Sequence, residues 1–174
     1  MSSSNVAKGY IKSLDEGSLK LDLMFNPKEL SLDKKVPWNP QYTSGKDLPA
    51  MEFTNGQAMS LSVELMFDTY ESKKNVHKEH ITKLVKMALI DSTRKRPHLC
   101  LFGWGNLHFR GVIDSLTQKY TMFLADGTPV RATVSLKMTQ ADKAQFKEKD
   151  AKKASSAGAS SSGGTGDPFE DSGS

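Results

Sequence analysis

His77 and His80 stand three residues apart in a stretch of helical period, a spacing that puts both imidazoles on one helix face where a metal could bridge them. No third ligand accompanies them, because Cys100 sits in a separate apolar run with Leu99, Leu101 and Phe102. The pair therefore reads as polar residues on a wet helix face. Arg94-Lys95-Arg96 could grip phosphate, yet cations closing a helix are also what the macrodipole favours. Phe102, Trp104, His108, Phe109 and Arg110 interleave aromatics with cations, as a single-stranded nucleic-acid platform would. Phe102 and Phe109, however, fall on core positions of an alternating strand. Asp68, Asp91, Asp114 and Asp126 lie at expected strand ends or turns, where aspartate serves the backbone. Ser115 and Ser135 lack the setting of a nucleophile elbow. No catalytic pair, metal cage, phosphate loop or cofactor site emerges, and the chain is not expected to be an enzyme.

The elements that would hold these residues are mostly strands. Pro97 to Met138 is the most telling stretch: apolar runs separated by Gly-Trp-Gly, Asp-Gly and Pro predict strands near 98–103, 106–114, 117–124 and 129–139. Asp126-Gly127 marks a tight turn, since glycine accepts positive φ. In the last strand Val130, Ala132, Val134, Leu136 and Met138 should face inward. Met59, Leu61, Val63, Leu65 and Phe67 predict another half-buried strand. Tyr10 to Phe25 predicts a hairpin turned at Asp15-Glu16-Gly17-Ser18, with Leu19, Leu21, Leu23 and Phe25 on one face. A short extended piece runs from Leu30 and Leu32 to Trp38. Asn39 to Gln57, with two prolines, two glycines and no sustained period, predicts a long loop anchored by Met51 and Phe53. A helix is predicted over 75–90, with Val76, Ile81, Leu84, Val85, Ala88 and Leu89 on its apolar face. Ala141 to Lys153 could continue as a charged helix, and 154–174 is so rich in Ser and Gly that it predicts disorder.

Composition narrows the class. The 174 residues carry a formal net charge of +4, and after Gln140 five lysines meet six acids. The folded part is thus only modestly basic, which permits an anionic partner without pointing to one. Cys100 is expected to be a buried structural thiol with no disulfide, consistent with synthesis in a reducing cytoplasm. No apolar run has membrane-spanning length, and MSSSNVAKGY contains no signal-peptide core. A strand-rich unit without reactive chemistry works by presenting surfaces.

The order of motifs resembles a known family. Phe25-Asn26-Pro27 comes first, followed by an extended Leu30 to Trp38 and a strand ending in Phe67-Asp68-Thr69-Tyr70. A helix follows, then Pro97-His98-Leu99 leading to Trp104-Gly105, Tyr120-Thr121-Met122-Phe123, and Asp126-Gly127-Thr128-Pro129-Val130-Arg131-Ala132. Over about residues 5–140 this resembles the tube-protein domain of contractile injection systems, the phage-tail-like particles. It resembles in particular the tube-initiator or baseplate-adaptor subunit between spike hub and inner tube.

The resemblance implies a mainly β, α+β fold: an antiparallel barrel or sandwich over 1–140, with one flanking helix and a tail over 141–174. It implies a homo-hexameric ring that links the spike-bearing baseplate to the inner tube and templates tube assembly. Partners would be the inner tube protein and the spike and baseplate hub proteins, with the sheath as a further contact. The subunit would be made in the cytoplasm and then built into a particle that can be released. Many relatives of the adaptor carry a LysM-type module after the tube domain, where this chain has Ser/Gly-rich sequence. Trp38, Met51 and Phe53 are the expected intersubunit contacts. The alternatives are an inner tube subunit of the same particle or a basic small-barrel nucleic-acid binder.

Overall fold

Alternation of period two dominates the longest strands, and it has sorted their residues onto a dry and a wet side. The computed structural model describes residues 6–143 and Phe146. Met1–Asp142 cluster as one unit and Lys143–Ser174 as another. The expected tail helix and disordered segment fall almost wholly outside the described residues.

Among the described residues nine strands form: β1 (Tyr10–Ser13), β2 (Lys20–Asp22), β3 (Leu30–Asp33), β4 (Trp38–Gln41), β5 (Ala50–Phe53), β6 (Ser60–Asp68), β7 (Leu99–Trp104), β8 (Leu107–Phe123) and β9 (Pro129–Gln140). Seven make one sheet in the order β2-β1-β7-β8-β9-β6-β3, and β4 and β5 pair only with each other. Every pairing is antiparallel. The fold is mainly β with one flanking helix, as expected. Among the described residues no helix is long and apolar enough to cross a membrane.

The dry side carries the core. Leu61, Val63, Leu65 and Phe67 of β6 lie beside Met138, Leu136, Val134 and Ala132 of β9 in one register, and all are buried. The helix closes over them. It begins as a π-helical turn, His77–Ile81, and continues as α1, Thr82–Ala88. Val76, Ile81, Leu84 and Met87 are its buried residues. Met87 was not on the expected apolar face, and Leu89, which was, is exposed because the helix ends one residue earlier. On the other flank, the row Leu21, Ile11, Phe102 and Phe109 runs across β2, β1, β7 and β8.

Two expected strands, 106–114 and 117–124, are one strand. Ile113 pairs with Met138 and Ser115 with Lys137, which leaves Asp114 as the extra residue of a β-bulge. Phe109, Gly111 and Ile113 face the core before the bulge, whereas Leu116, Gln118, Tyr120 and Met122 are the less exposed residues after it. The inserted residue reverses the phase of alternation, which in the sequence mimics a strand break. Asp114 therefore sits within a strand and not at its end.

Close approach of two backbones fixes one glycine in β8. A Cβ built on Gly111 would come within 2.3 Å of the Thr139 carbonyl oxygen on β9. Gly111→Ala should force the two strands apart and cost about 1–3 kcal/mol, as overpacking does. Urea unfolding that matched the parent would contradict this.

Candidate functional site

The wet side of the sheet is a shallow trough rich in hydroxyl groups. Ser31, Ser62, Lys137 and Ser115 form one cross-strand row over β3, β6, β9 and β8, and Glu64, Ser135 and Thr117 form the next. Together with Glu29 and Leu30 these residues line a hollow of about 420 Å³. Both expected serines, Ser115 and Ser135, stand here as lining groups among charged residues of either sign. Further along, Met66 and Thr133 stand level with Lys119, and Asp68 stands opposite Arg131.

The segment expected to be a loop contains a hairpin. Trp38 pairs with Phe53 and Pro40 with Met51, which places these four side chains on one face of the β4–β5 ribbon. Trp38 and Phe53 meet edge to face, with ring centroids 5.7 Å apart. Pro40 and Pro49 conceal the strands from a periodicity search, since proline is unwelcome in a ladder; an isolated ribbon tolerates it. Trp38, Met51 and Phe53 remain 53%, 57% and 52% exposed. The three residues expected to anchor contacts are thus brought together on one apolar surface. A lone two-stranded hairpin is marginally stable in water, and exposed apolar clusters mark interaction surfaces.

The sheet also ends in two strands with open edges, β2 and β3. Such edges present unpaired backbone groups and are templates for pairing with another chain.

The candidate chemical groups are taken up by structure. His77 Nδ1 lies 2.6 Å from Tyr120 Oη, which donates to Gln118 Oε1 at 2.8 Å, leaving His77 as the donor in that pair. His80 stacks on Phe67 at 5.4 Å. The two rings thus serve different partners, and among the described residues no group of three or more His, Cys, Asp or Glu could hold a metal ion. Burial lowers the His80 pKa below its ordinary 6.5, with Lys83 acting in the same direction and Glu79 against. The folded state therefore binds fewer protons here than the unfolded chain. This contribution to stability is full above about pH 6.5 and declines as pH falls below it. His80→Phe should flatten the slope of unfolding free energy between pH 7 and 5, and an unchanged slope would refute it.

Arg94-Lys95-Arg96 does not close the helix, which stops at Ala88. Arg96 instead grips Asp15 with both guanidinium nitrogens, at 2.7 and 3.1 Å. Asp15 also accepts the Leu99 N–H at 2.7 Å, and Arg94 donates to the Asp15 carbonyl at 3.1 Å. The Arg96 guanidinium, as the principal cause, holds the Asp15 carboxyl down at about 2. Asp91 caps the same loop by accepting the Thr93 and Arg94 amides.

A Ser–His–Asp series of contacts sits beside this pair, and no local pattern announces it, because Ser13 and His98 are 85 residues apart. Ser13 Oγ lies 2.9 Å from His98 Nδ1, and His98 Nε2 lies 3.9 Å from Asp91 Oδ2. Ser13 Oγ also accepts the Asp15 and Glu16 amides, at 3.1 and 3.0 Å. Its hydroxyl proton then points to His98, and both lone pairs are occupied. With Ser13 3% and His98 5% exposed, the trio braces the β1–β2 turn and leaves no lone pair to attack a substrate.

The aromatic and cationic series is likewise accounted for. Phe102 and Phe109 are buried, Trp104 Nε1 donates to the Ala7 carbonyl at 3.1 Å, and Arg110 pairs with Asp142 at 3.5 Å. Cys100 is fully buried, and desolvation pushes its thiol up to about 12. Asp68 binds Arg131 and the Tyr70 amide, and Asp126 accepts both the amide and the hydroxyl of Thr128 in the expected turn.

The surfaces that remain open among the described residues are a wet sheet face, two sheet edges and an apolar hairpin. No curated protein matches the chain. The family model for contractile injection system tube proteins matches residues 7–149, which covers the sheet, the helix and the hairpin. The chain belongs to the contractile injection system tube protein family.

Proposed function

We propose that this subunit forms a hexameric ring that joins the spike-bearing baseplate to the inner tube and templates tube growth. The observation that carries the reading is the apolar face of the β4–β5 hairpin, offered to solvent beside a sheet with open edges. Edge strands and exposed apolar ribbons are both satisfied when identical copies join in a ring. The polar rows of β6, β8 and β9 suit a water-filled lumen. Nucleation is the costly step of polymerisation, and a ring that already matches the symmetry of the next layer removes it.

On this reading Trp38, Met51 and Phe53 are the intersubunit contacts. The neighbours are further copies of the chain, the inner tube protein, and the spike and baseplate hub, with the sheath outside. The subunit is made in the cytoplasm and then carried in the particle. The family match favours one second reading, a subunit of the inner tube itself.

Solution mass followed by electron microscopy of particles tests the proposal. Sixfold rings and six copies per particle support the adaptor. Many multiples of six support the inner tube. A strict monomer that is absent from particles overturns both.

A further inference from the structure

A second apolar feature lies on the wet side of the sheet, far from the hairpin. Phe25, expected to be buried with Leu21 and Leu23, is 50% exposed, and Met66 of β6 is 44% exposed among polar neighbours. With Asn26, Pro27, Glu64 and Thr133 they border a groove of about 610 Å³, within the usual range of a binding cleft. Asn26 fixes one wall, since its Oδ1 accepts the Gly9 amide at 3.0 Å and its Nδ2 donates to the Ala7 carbonyl at 2.9 Å.

We infer that this groove receives the Trp38–Met51–Phe53 face of the hairpin from a second copy of the chain. Three observations carry the inference, which rests on the ring-forming function proposed above. First, groove and hairpin lie at opposite ends of the β3–β6 ladder. The hairpin joins the sheet where Asp33 pairs with Ser60, and Met66 stands six residues further along β6, about 20 Å at strand rise. Second, the groove of the same copy does not cover the hairpin, whose Trp38, Met51 and Phe53 stay half-exposed. Third, the charges are opposite in sign: the groove presents Glu29 and Glu64 against one Lys28, and the stem of the hairpin carries Lys34 and Lys35 against one Asp33. A knob and a socket on opposite ends of one molecule give a head-to-tail contact, the kind that closes into a ring or repeats along a stack.

Chains carrying Met51→Cys are mixed with tagged chains carrying Met66→Cys and treated with a short bismaleimide. Both positions are exposed, so the fold should survive, and the buried Cys100 should stay silent. Docking should yield mixed tagged–untagged dimers over a Met51→Cys and Leu89→Cys control by a factor on the order of 100, the gain in effective concentration of a held pair. Oligomers that form normally but cross-link no better than the control would overturn the inference and leave the ring standing. Chains that never associate would overturn both.

Discussion

Asp15→Ala is expected to lower the unfolding free energy by about 3 kcal/mol, the usual cost of removing one member of a well-bonded, largely buried charge pair. The Asp15 side chain is only 8% exposed and accepts from Arg96 through both nitrogens and from the Leu99 amide. Its loss takes the bidentate partner from Arg96 and the acceptor from a backbone amide at the start of β7. It also unties the β1–β2 turn from the loop that follows the helix, two segments more than 75 residues apart in sequence. For a domain of this size the melting temperature should fall by roughly 10 °C. Asp15→Asn, which keeps the shape and one acceptor, should cost about half as much.

The pH dependence follows from the same pair. The carboxyl titrates at about 2 in the fold against 3.8 in the unfolded chain. Its stabilisation is therefore complete above about pH 4 and lost as pH falls through 2, amounting to roughly 2 kcal/mol. The Asp15→Ala variant should lack that acid limb. A variant as stable as the parent at pH 7, or one with an unchanged acid limb, would show that the pair is ornamental.

The second large effect concerns association and leaves the fold alone. On the proposed ring, Trp38→Ser combined with Phe53→Ser should abolish association while shifting the melting temperature little, because the ribbon pairs with no strand of the main sheet. Covering a large apolar side chain is worth about 1.5–3 kcal/mol. Losing two at every subunit contact should weaken each by a factor of 100 or more. Sedimentation and light scattering read the result directly. Rings that persist in the double variant would remove the hairpin from the interface.

Much of the architecture was legible because long strands repeat one signal many times. β6 and β9 each alternate over nine or more residues, and Asp126-Gly127 carries its turn chemistry in two letters. What escaped was either short or remote. β4 and β5 span four residues each, too few for a period, although Trp38/Pro40 and Met51/Phe53 already stand two apart. The Asp114 bulge breaks the phase of a single strand and so resembles a turn. Arg94 and Arg96 read as helix-closing charges because their partner, Asp15, is about 80 residues upstream and no local pattern announces it. Phe25 follows the leucine series of β2 but lies beyond its last residue, Asp22, so the alternation no longer binds it. Trp38, Met51 and Phe53 were singled out from the sequence, but the face they share was not legible there, because it depends on the pairing of β4 with β5.

The paired length of β8 around its bulge constrains how this gene can vary in length. Removing codon 114 would only straighten the ladder, since Ser115 would still meet Lys137 and Leu116 would still meet Leu136, whereas one codon added between it and the end of that strand would turn the wetted row beyond it inside out and bury lysine and threonine against leucine and valine. Length variation among descendants should instead collect at the hairpin tip, residues 42–49, where extra amino acids lengthen a finger and disturb no layer.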